Sequence, residues 1–266
     1  MEHSIMQYNP DRKKFTKEWK SVLIFLILVT LPTLWGLLDP ETAIQRSLGT
    51  IAVTTLIGLI AWFFLRREGV KANDIGLGKY HLRNGLILFL VWWLLVSGID
   101  HLSSWVTGLL VSPLSPIGEL VFSWETLLDG VRAFIFVGFA EEIAFRGYLH
   151  NKLIKICSKR WAGILLAALA FSIWHIPGSI IAGRATPMSL VTGTLTFTVI
   201  SLLFFNLPYE WSGLLPFLAL FHGWSDFPIL VTMGSPTVVG AVAGYGLVFP
   251  LIWLFRKITL KPQMDQ

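Results

Sequence analysis

The sequence predicts an all-α, polytopic integral membrane protein of about eight transmembrane helices, with the chemically interesting helices in the C-terminal half. Two observations carry this first. Of 266 residues, 54% are hydrophobic and 14% charged, whereas a soluble domain carries about 25% charged residues and reaches about 45–50% apolar only with glycine included. A bilayer core about 30 Å thick needs about 20 mostly apolar residues as a helix, and eight stretches meet or approach that length: roughly 21–38, 49–65, 84–110, 127–149, 162–182, 188–206, 213–232 and 237–255. Turn-forming residues separate several of them: Asp39-Pro40, Ser112 to Pro116, Asn206-Leu207-Pro208 and Gly234-Ser235-Pro236.

The composition excludes other classes. A disordered chain needs low hydrophobicity and high charge. A disulfide scaffold needs several cysteines, and Cys157 is the only one. Twelve tryptophans suit a membrane protein, because indole rings settle at the lipid–water boundary. No soluble domain fits between the spans. The expected organisation is a basic cytosolic arm at 1–20, a single transmembrane domain at 21–257 and a short tail at 258–266. The first apolar run follows a basic segment, as in a signal peptide. No small-x-small cleavage site precedes Trp35–Pro40, so an uncleaved helix is expected.

Charge placement is the third observation. With the N-terminus inside, the cytosolic segments hold Arg12, Lys13, Lys14, Lys17 and Lys20; then Arg66, Arg67, Lys71, Lys79 and Arg83; then Arg146, Lys152, Lys155, Lys159 and Arg160; and finally Arg256, Lys257 and Lys261. These are eighteen of the 21 basic residues, leaving Arg46, Arg132 and Arg184 outside. Such a bias is the positive-inside pattern. It predicts both termini in the cytosol, in the plasma membrane if the source is bacterial. The basic balance thus reflects topology. With no basic stripe interleaved with aromatics on a soluble face, nucleic acid is not an expected partner. The expected partners are membrane lipids and a peptide or protein at the membrane.

A charge near the bilayer centre costs about 2.5–3.5 kcal/mol on insertion scales, so such residues face the bundle interior and usually serve function. The fourth span reads FVGFAEEIAFRGYLH. Glu142 and Arg146 are i, i+4 and can neutralise each other. Glu141 points about 100° away from Glu142 and lacks that partner. In the fifth span His175 lies inside an apolar run, and Pro177-Gly178 predict a kink or helix end after it. In the seventh span His222 and Asp226 are i, i+4, so that Asp226 can fix the imidazole tautomer, either structurally or for catalysis. Taken together, two Glu, two His, one Asp and one Arg on three helices can line a polar cavity. A Glu base with two His around one water is hydrolytic chemistry.

The remaining polar residues read as structural. Asp129 and Arg132 suggest a local ion pair. Asp100 and His101 fall near an interface, and His150 can snorkel from the inner end of the fourth span. Gly240 and Gly244 have the spacing of close helix packing. Cys157 reads as a reduced thiol.

These motifs resemble those of the CPBP (Abi) family, the CAAX-protease and bacteriocin-processing intramembrane proteases, including the type II CAAX prenyl proteases. That family carries E-E-x-x-x-R, F-x-x-x-H and H-x-x-x-N or H-x-x-x-D in this order. Here they stand as Glu141-Glu142 to Arg146, Phe171 to His175, and His222 to Asp226, within about residues 127–232. The resemblance implies an intramembrane endopeptidase of the metallo- or glutamate type. Glu141 would activate water, His175 would hold it, and His222 with Asp226 would complete the cavity. Glu142 and Arg146 would be the supporting pair, with Arg146 also placed to receive a substrate carboxylate. Asp226 departs from the Asn variant and would instead orient His222 or help to hold a metal. Glu141, His175, His222 and Asp226 are of ligand types that zinc accepts, and a water held by protein groups alone is the alternative. A cavity open to the cytosolic leaflet would admit a membrane-associated or lipid-modified peptide. Two other readings of the same residues are a membrane transporter and a non-catalytic bacteriocin-immunity protein.

Overall fold

A computed structural model describes residues 12–38, 42–111, 123–183, 185–230 and 237–260. Residues 1–11 of the expected arm, the tail beyond 260, Arg184 and the turns at 39–40, 112–116 and 234–236 lie outside the described residues.

The described residues fold into eight helical passes with no strand among them. Helix α1, Arg12–Thr30, continues past Pro32 as a tighter 3₁₀ segment, Leu31–Leu38. Helix α2 is Ala43–Arg67, and its start is fixed by a capping box: Thr42 accepts from the Gln45 backbone N–H at 3.1 Å, and the Gln45 side chain accepts from the Thr42 N–H at 3.0 Å. Helix α3 is Lys79–Val111. Helix α4 runs over 124–156 and is not uniform. Two widened π-helical segments, Arg132–Val137 and Ile143–His150, flank one α-turn, Gly138–Glu142. Helix α5, Arg160–Trp174, ends at His175, and Ile176–Ile181 follows as a short separate helix. The break lies where Pro177 denies the helix a backbone donor. Helix α6 joins Pro187–Ser201 to Leu207–Ser212 through a widened turn, Leu202–Asn206. Helix α7 is Leu215–Asp226, and α8 pairs Val238–Gly246 with Val248–Leu260.

Six of these passes are long and apolar enough to cross a membrane: Thr16–Leu37, Ala43–Arg67, Ala72–Thr107, Arg160–Ile181, Pro187–Ser212 and Val238–Thr259. The chain is a multi-pass membrane protein, and its outward surface carries exposed Leu23, Ile27, Leu59, Phe63, Leu94 and Leu195. The seventh expected span is corrected. The twelve residues of α7 reach only about 18 Å at 1.5 Å per residue, too short for the bilayer, and Phe217, Leu218 and Phe221 are fully buried. Helix α7 is a central pillar rather than a lipid-facing span. Its apolarity answers to neighbouring helices.

Two glycines let that pillar approach α4. A Cβ at Gly138 would stand 2.1 Å from the Ala219 carbonyl oxygen, and one at Gly223 would stand 2.6 Å from the Phe134 Cα. At the far side Trp92 packs edge-on to Trp224 with ring centres 4.9 Å apart, and its Nε1–H donates to the Gly244 carbonyl at 2.8 Å. Gly244 does serve close packing, against the Trp224 ring. Asp100 is buried, contrary to the expected interfacial place, and accepts the Thr237 N–H at 2.8 Å, steadying the start of α8.

Helices α2 and α4 run parallel. Their starts are joined by Ser47 Oγ donating to Asp129 at 2.7 Å. Their ends are joined by Lys152 Nζ and Tyr148 OH, both on Glu68 Oε1 at 2.6 and 3.1 Å. The bundle therefore has two poles. The basic pole gathers Arg66, Lys152, Arg160 and Lys257. The opposite pole carries Arg46 and the Asp129–Arg132 pair, which is in place at 3.2 Å.

Candidate active site

Glu141 and Glu142 stand on the single α-turn between the two widened segments of α4. Widened turns rotate the following residues relative to a regular helix and recur at functional sites. Here both carboxylates point into the bundle: Glu142 is fully buried and Glu141 nearly so.

Glu142 is fully engaged on one oxygen. Its Oε1 accepts from Arg146 Nη1 at 2.9 Å and from His222 Nδ1 at 2.8 Å. The expected Glu142–Arg146 pair is present. The partner expected for His222 is not the one observed. Asp226 is exposed at the end of α7, and Glu142, from α4, takes the imidazole Nδ1–H instead. The correction follows from packing. The glycine contacts bring α7 against α4, so the nearest buried carboxylate is on the neighbouring helix, whereas Asp226 lies one turn nearer the helix end. A carboxylate on Nδ1 fixes the tautomer and turns Nε2 toward Glu141.

His222 Nε2 lies 3.7 Å from Glu141 Oε2. That oxygen is buried and has no hydrogen-bond partner in the protein. Buried carboxylate oxygens are nearly always hydrogen-bonded, so this one is available to a polar group from elsewhere. Too long for a direct hydrogen bond, the separation lets one water or substrate oxygen touch both atoms. A cavity of about 700 Å³ reaches Glu141 and Trp174 at its inner end.

His175 sits where α5 breaks. Its Nδ1–H donates to the Phe171 carbonyl at 2.8 Å, which leaves Nε2 as the nitrogen with a lone pair in the neutral ring. Phe171 joins the two histidines, meeting His175 edge-on at 4.6 Å and His222 at 6.1 Å between ring centres. His175 also stacks on Phe197 at 5.2 Å. His222 and Asp226 are both within electrostatic reach of His175.

Arg146 is fully buried, so it cannot receive a substrate carboxylate as expected. Its guanidinium lies between the faces of Phe171 and Phe205, at 4.3 and 4.8 Å, a cation–π arrangement that partly replaces lost water. Its Nη2–H donates to Ser201 Oγ at 2.8 Å, and Ser201 donates to Asn206 Oδ1 at 3.0 Å. Asn206 Nδ2 meets His150 Nδ1 at 2.8 Å, and His150 Nε2 meets Glu210 Oε1 at 2.6 Å. Glu210 accepts from Arg160 Nε at 2.8 Å. One polar chain thus runs from His222 through the bundle to the basic pole. His150 belongs to it and is fully buried, not snorkelling. Ser201 and Glu210 escaped the sequence reading, and Asn206-Leu207-Pro208, expected to form a turn between spans, lies instead within the helix that runs to Ser212. The available signal was weak: a serine and an asparagine inside an apolar run, five residues apart. They share a face only because the helix there is widened.

Zinc needs several converging ligands. Among the described residues no three His, Cys, Asp or Glu side chains converge to hold an ion. Glu141 and His222 approach each other, but Asp226 is exposed, and His222 Nδ1 and Glu142 Oε1 are committed to each other. The expected four-ligand set is therefore not assembled among the described residues.

Glu141, 3.7 Å from His222 Nε2, is thus a motif residue that lines a cavity inside an apolar helical bundle. Residues 123–228 match the family model described as type II CAAX prenyl endopeptidase Rce1-like. That match contains all three motifs, so this stretch of the chain is similar to that family. No curated protein and no solved structure matches the chain.

Proposed function

We propose that the protein is an intramembrane endopeptidase that hydrolyses peptide bonds of membrane-associated or lipid-modified peptides with a glutamate-activated water. The observation that carries this is the unpartnered Glu141 Oε2 set 3.7 Å from His222 Nε2. Water between them gives a proton to Glu141 as its oxygen adds to the scissile carbonyl carbon. His222 Nε2, oriented by Glu142, faces the oxygen on which charge develops and stabilises it when protonated. The C–N bond then breaks, and the proton held by Glu141 passes to the departing amine. His175 supports the reading as a second imidazole, since the Phe171 ring packs against both it and His222. Asp226 adds negative charge at the end of the helix that carries His222.

The test uses protein purified in detergent and quenched-fluorescent peptides, with and without a prenylated cysteine. Glu141→Gln should lower kcat by about 10²–10⁴-fold with the thermal transition unchanged. Undiminished cleavage by that variant would remove Glu141 as the base.

A further inference from the structure

Behind the Glu142–His222 bond the site leans on one buried cation. Arg146 donates from Nη1 to Glu142 and from Nη2 to Ser201, and its Nε meets no acceptor among the described residues. Ser201 therefore holds the guanidinium on the side away from Glu142. Each bond beyond it has a fixed sense. The Ser201 hydroxyl donates to Asn206 Oδ1 at 3.0 Å, which turns the Asn206 N–H toward His150 Nδ1 at 2.8 Å. That nitrogen accepts only in the neutral ring with its proton on Nε2, and Nε2–H donates to Glu210 Oε1 at 2.6 Å. The ring is also clamped by Tyr209, which meets it edge-on at 5.4 Å. Tyr209 OH is itself held, accepting from Asn151 Nδ2 at 3.0 Å and donating to the Ile75 carbonyl at 3.2 Å. Arg146, Ser201, Asn206 and His150 are all buried, so bulk solvent does not compete for these bonds. Arg160, at the start of α5, closes the far end on Glu210.

We propose that His150 is a positioning residue for the Glu141 site. As a neutral ring it fixes which way the Asn206 amide faces, and Asn206 fixes the Ser201 hydroxyl. Ser201 holds Arg146, and Arg146 holds the Glu142 oxygen that orients His222. Without His150 neither end of the Asn206 amide is selected. Once that amide turns over, Ser201 loses its acceptor, and the guanidinium can draw Glu142 away from His222 Nδ1. The residues that line the cavity do not include His150, so its effect falls on the chemical step and not on substrate binding. The inference rests on the protease reading of Glu141 and deepens it.

His150→Leu removes both bonds, whereas His150→Gln keeps an N–H for Glu210 and a carbonyl oxygen for Asn206. With quenched peptides in detergent, below the thermal transitions of all three proteins, His150→Leu should lower kcat about 10-fold, the lower end for groups that orient a histidine from behind. KM should stay within about twofold of the parent, and His150→Gln should recover most of kcat. Thermal denaturation gives a measure that needs no activity, because losses add for distant sites and fail to add within one network. His150→Leu combined with Ser201→Ala should lose clearly less than the sum of the single losses. Combined with Thr237→Val, which breaks a contact to Asp100 elsewhere in the bundle, its losses should add. Unchanged kcat in His150→Leu, a loss confined to KM, no recovery with Gln, or additive losses with Ser201→Ala overturns the proposal. If His150→Leu does not fold, Glu210→Ala, which releases the His150 ring from its far side, takes its place in both measurements. If the parent cleaves no peptide, the protease reading fails, and the thermal cycle alone decides whether His150 reaches Arg146.

Discussion

Oε1 of Glu142 lies 2.8 Å from Nδ1 of His222, on a helix 80 residues further along the chain. The same oxygen takes the Arg146 guanidinium at 2.9 Å. Glu142 is therefore the link between the ring that faces Glu141 and the buried cation behind it.

That link separates two carboxylates that the sequence alone treats alike. Glu142→Gln can present its NH₂ to His222 and so favour the wrong tautomer. It should reduce kcat strongly with little change in KM. Asp226→Asn removes only an exposed charge and should retain activity within a factor of a few. Steady-state kinetics on the two variants check this. Equal losses would return Asp226 to the orienting role.

The chain behind Arg146 makes a second prediction. Ser201→Ala leaves a buried guanidinium N–H without its acceptor, and an unsatisfied buried group costs about 1–3 kcal/mol, more when charged. The thermal transition in detergent should fall accordingly. Glu142→Ala should cost more, about 3–5 kcal/mol, because it strands the buried cation altogether. If Ser201→Ala is as stable as the parent, the Arg146–Ser201 bond contributes nothing net.

Glycine packing gives a third. Gly223→Ala would press a Cβ to 2.6 Å from the Phe134 backbone, whereas a Cβ at Gly193 meets nothing within 4 Å. Overpacking of a rigid contact costs about 1–3 kcal/mol, so Gly223→Ala should lower both thermal stability and activity by moving His222. Gly193→Ala should be neutral or mildly stabilising, since alanine is the better helix former by about 1 kcal/mol. Identical thermal shifts would show that α7 has room to move.

Much of the fold is legible in the sequence, for physical reasons. The apolar runs and their charged ends announced helices in lipid, because the cost of burying charge leaves so few exceptions. The pair Glu142–Arg146 and the isolation of Glu141 followed from helix geometry within a single element. What was not legible depended on contacts between helices. The i, i+4 spacing of His222 and Asp226 suggested a local pair, but the glycine-mediated approach of α7 to α4 offered Glu142 instead. Apolarity at 213–232 read as a span, since sequence does not distinguish a neighbour made of lipid from one made of protein. Ser201, Asn206 and His150 came together through widened turns that a regular 3.6-residue period does not contain.

Cys157, between α4 and α5, gives a fourth prediction in which pH is the variable. Burial pushes its thiol up from the ordinary range. The thiolate is the reactive form, so at neutral pH the folded protein should alkylate more slowly than the chain unfolded in SDS. The difference should narrow as pH rises through the folded-state value and the thiolate becomes populated in both. The sign for stability is the same: the protonated thiol is favoured in the fold, and this contribution is lost as pH rises through that value. Iodoacetamide kinetics followed by mass spectrometry check the rates. Faster reaction of the folded protein would contradict the burial argument.

The last prediction concerns metal. Catalytic zinc sites use about three protein ligands and leave one position for water. Among the described residues no such trio converges. Glu141 and His222 approach within 3.7 Å, but Asp226 is exposed and the remaining nitrogen of His222 is occupied by Glu142. Water held by Glu141 and His222 alone needs no ion. Prolonged treatment with a strong chelator, followed by removal of the chelator, should therefore leave peptide cleavage undiminished, and elemental analysis of active protein should find no stoichiometric metal. Loss of activity that zinc restores, with one ion per chain recovered, would instead require His175 to swing toward His222 and Glu141. That movement would break its 2.8 Å hydrogen bond to the Phe171 carbonyl.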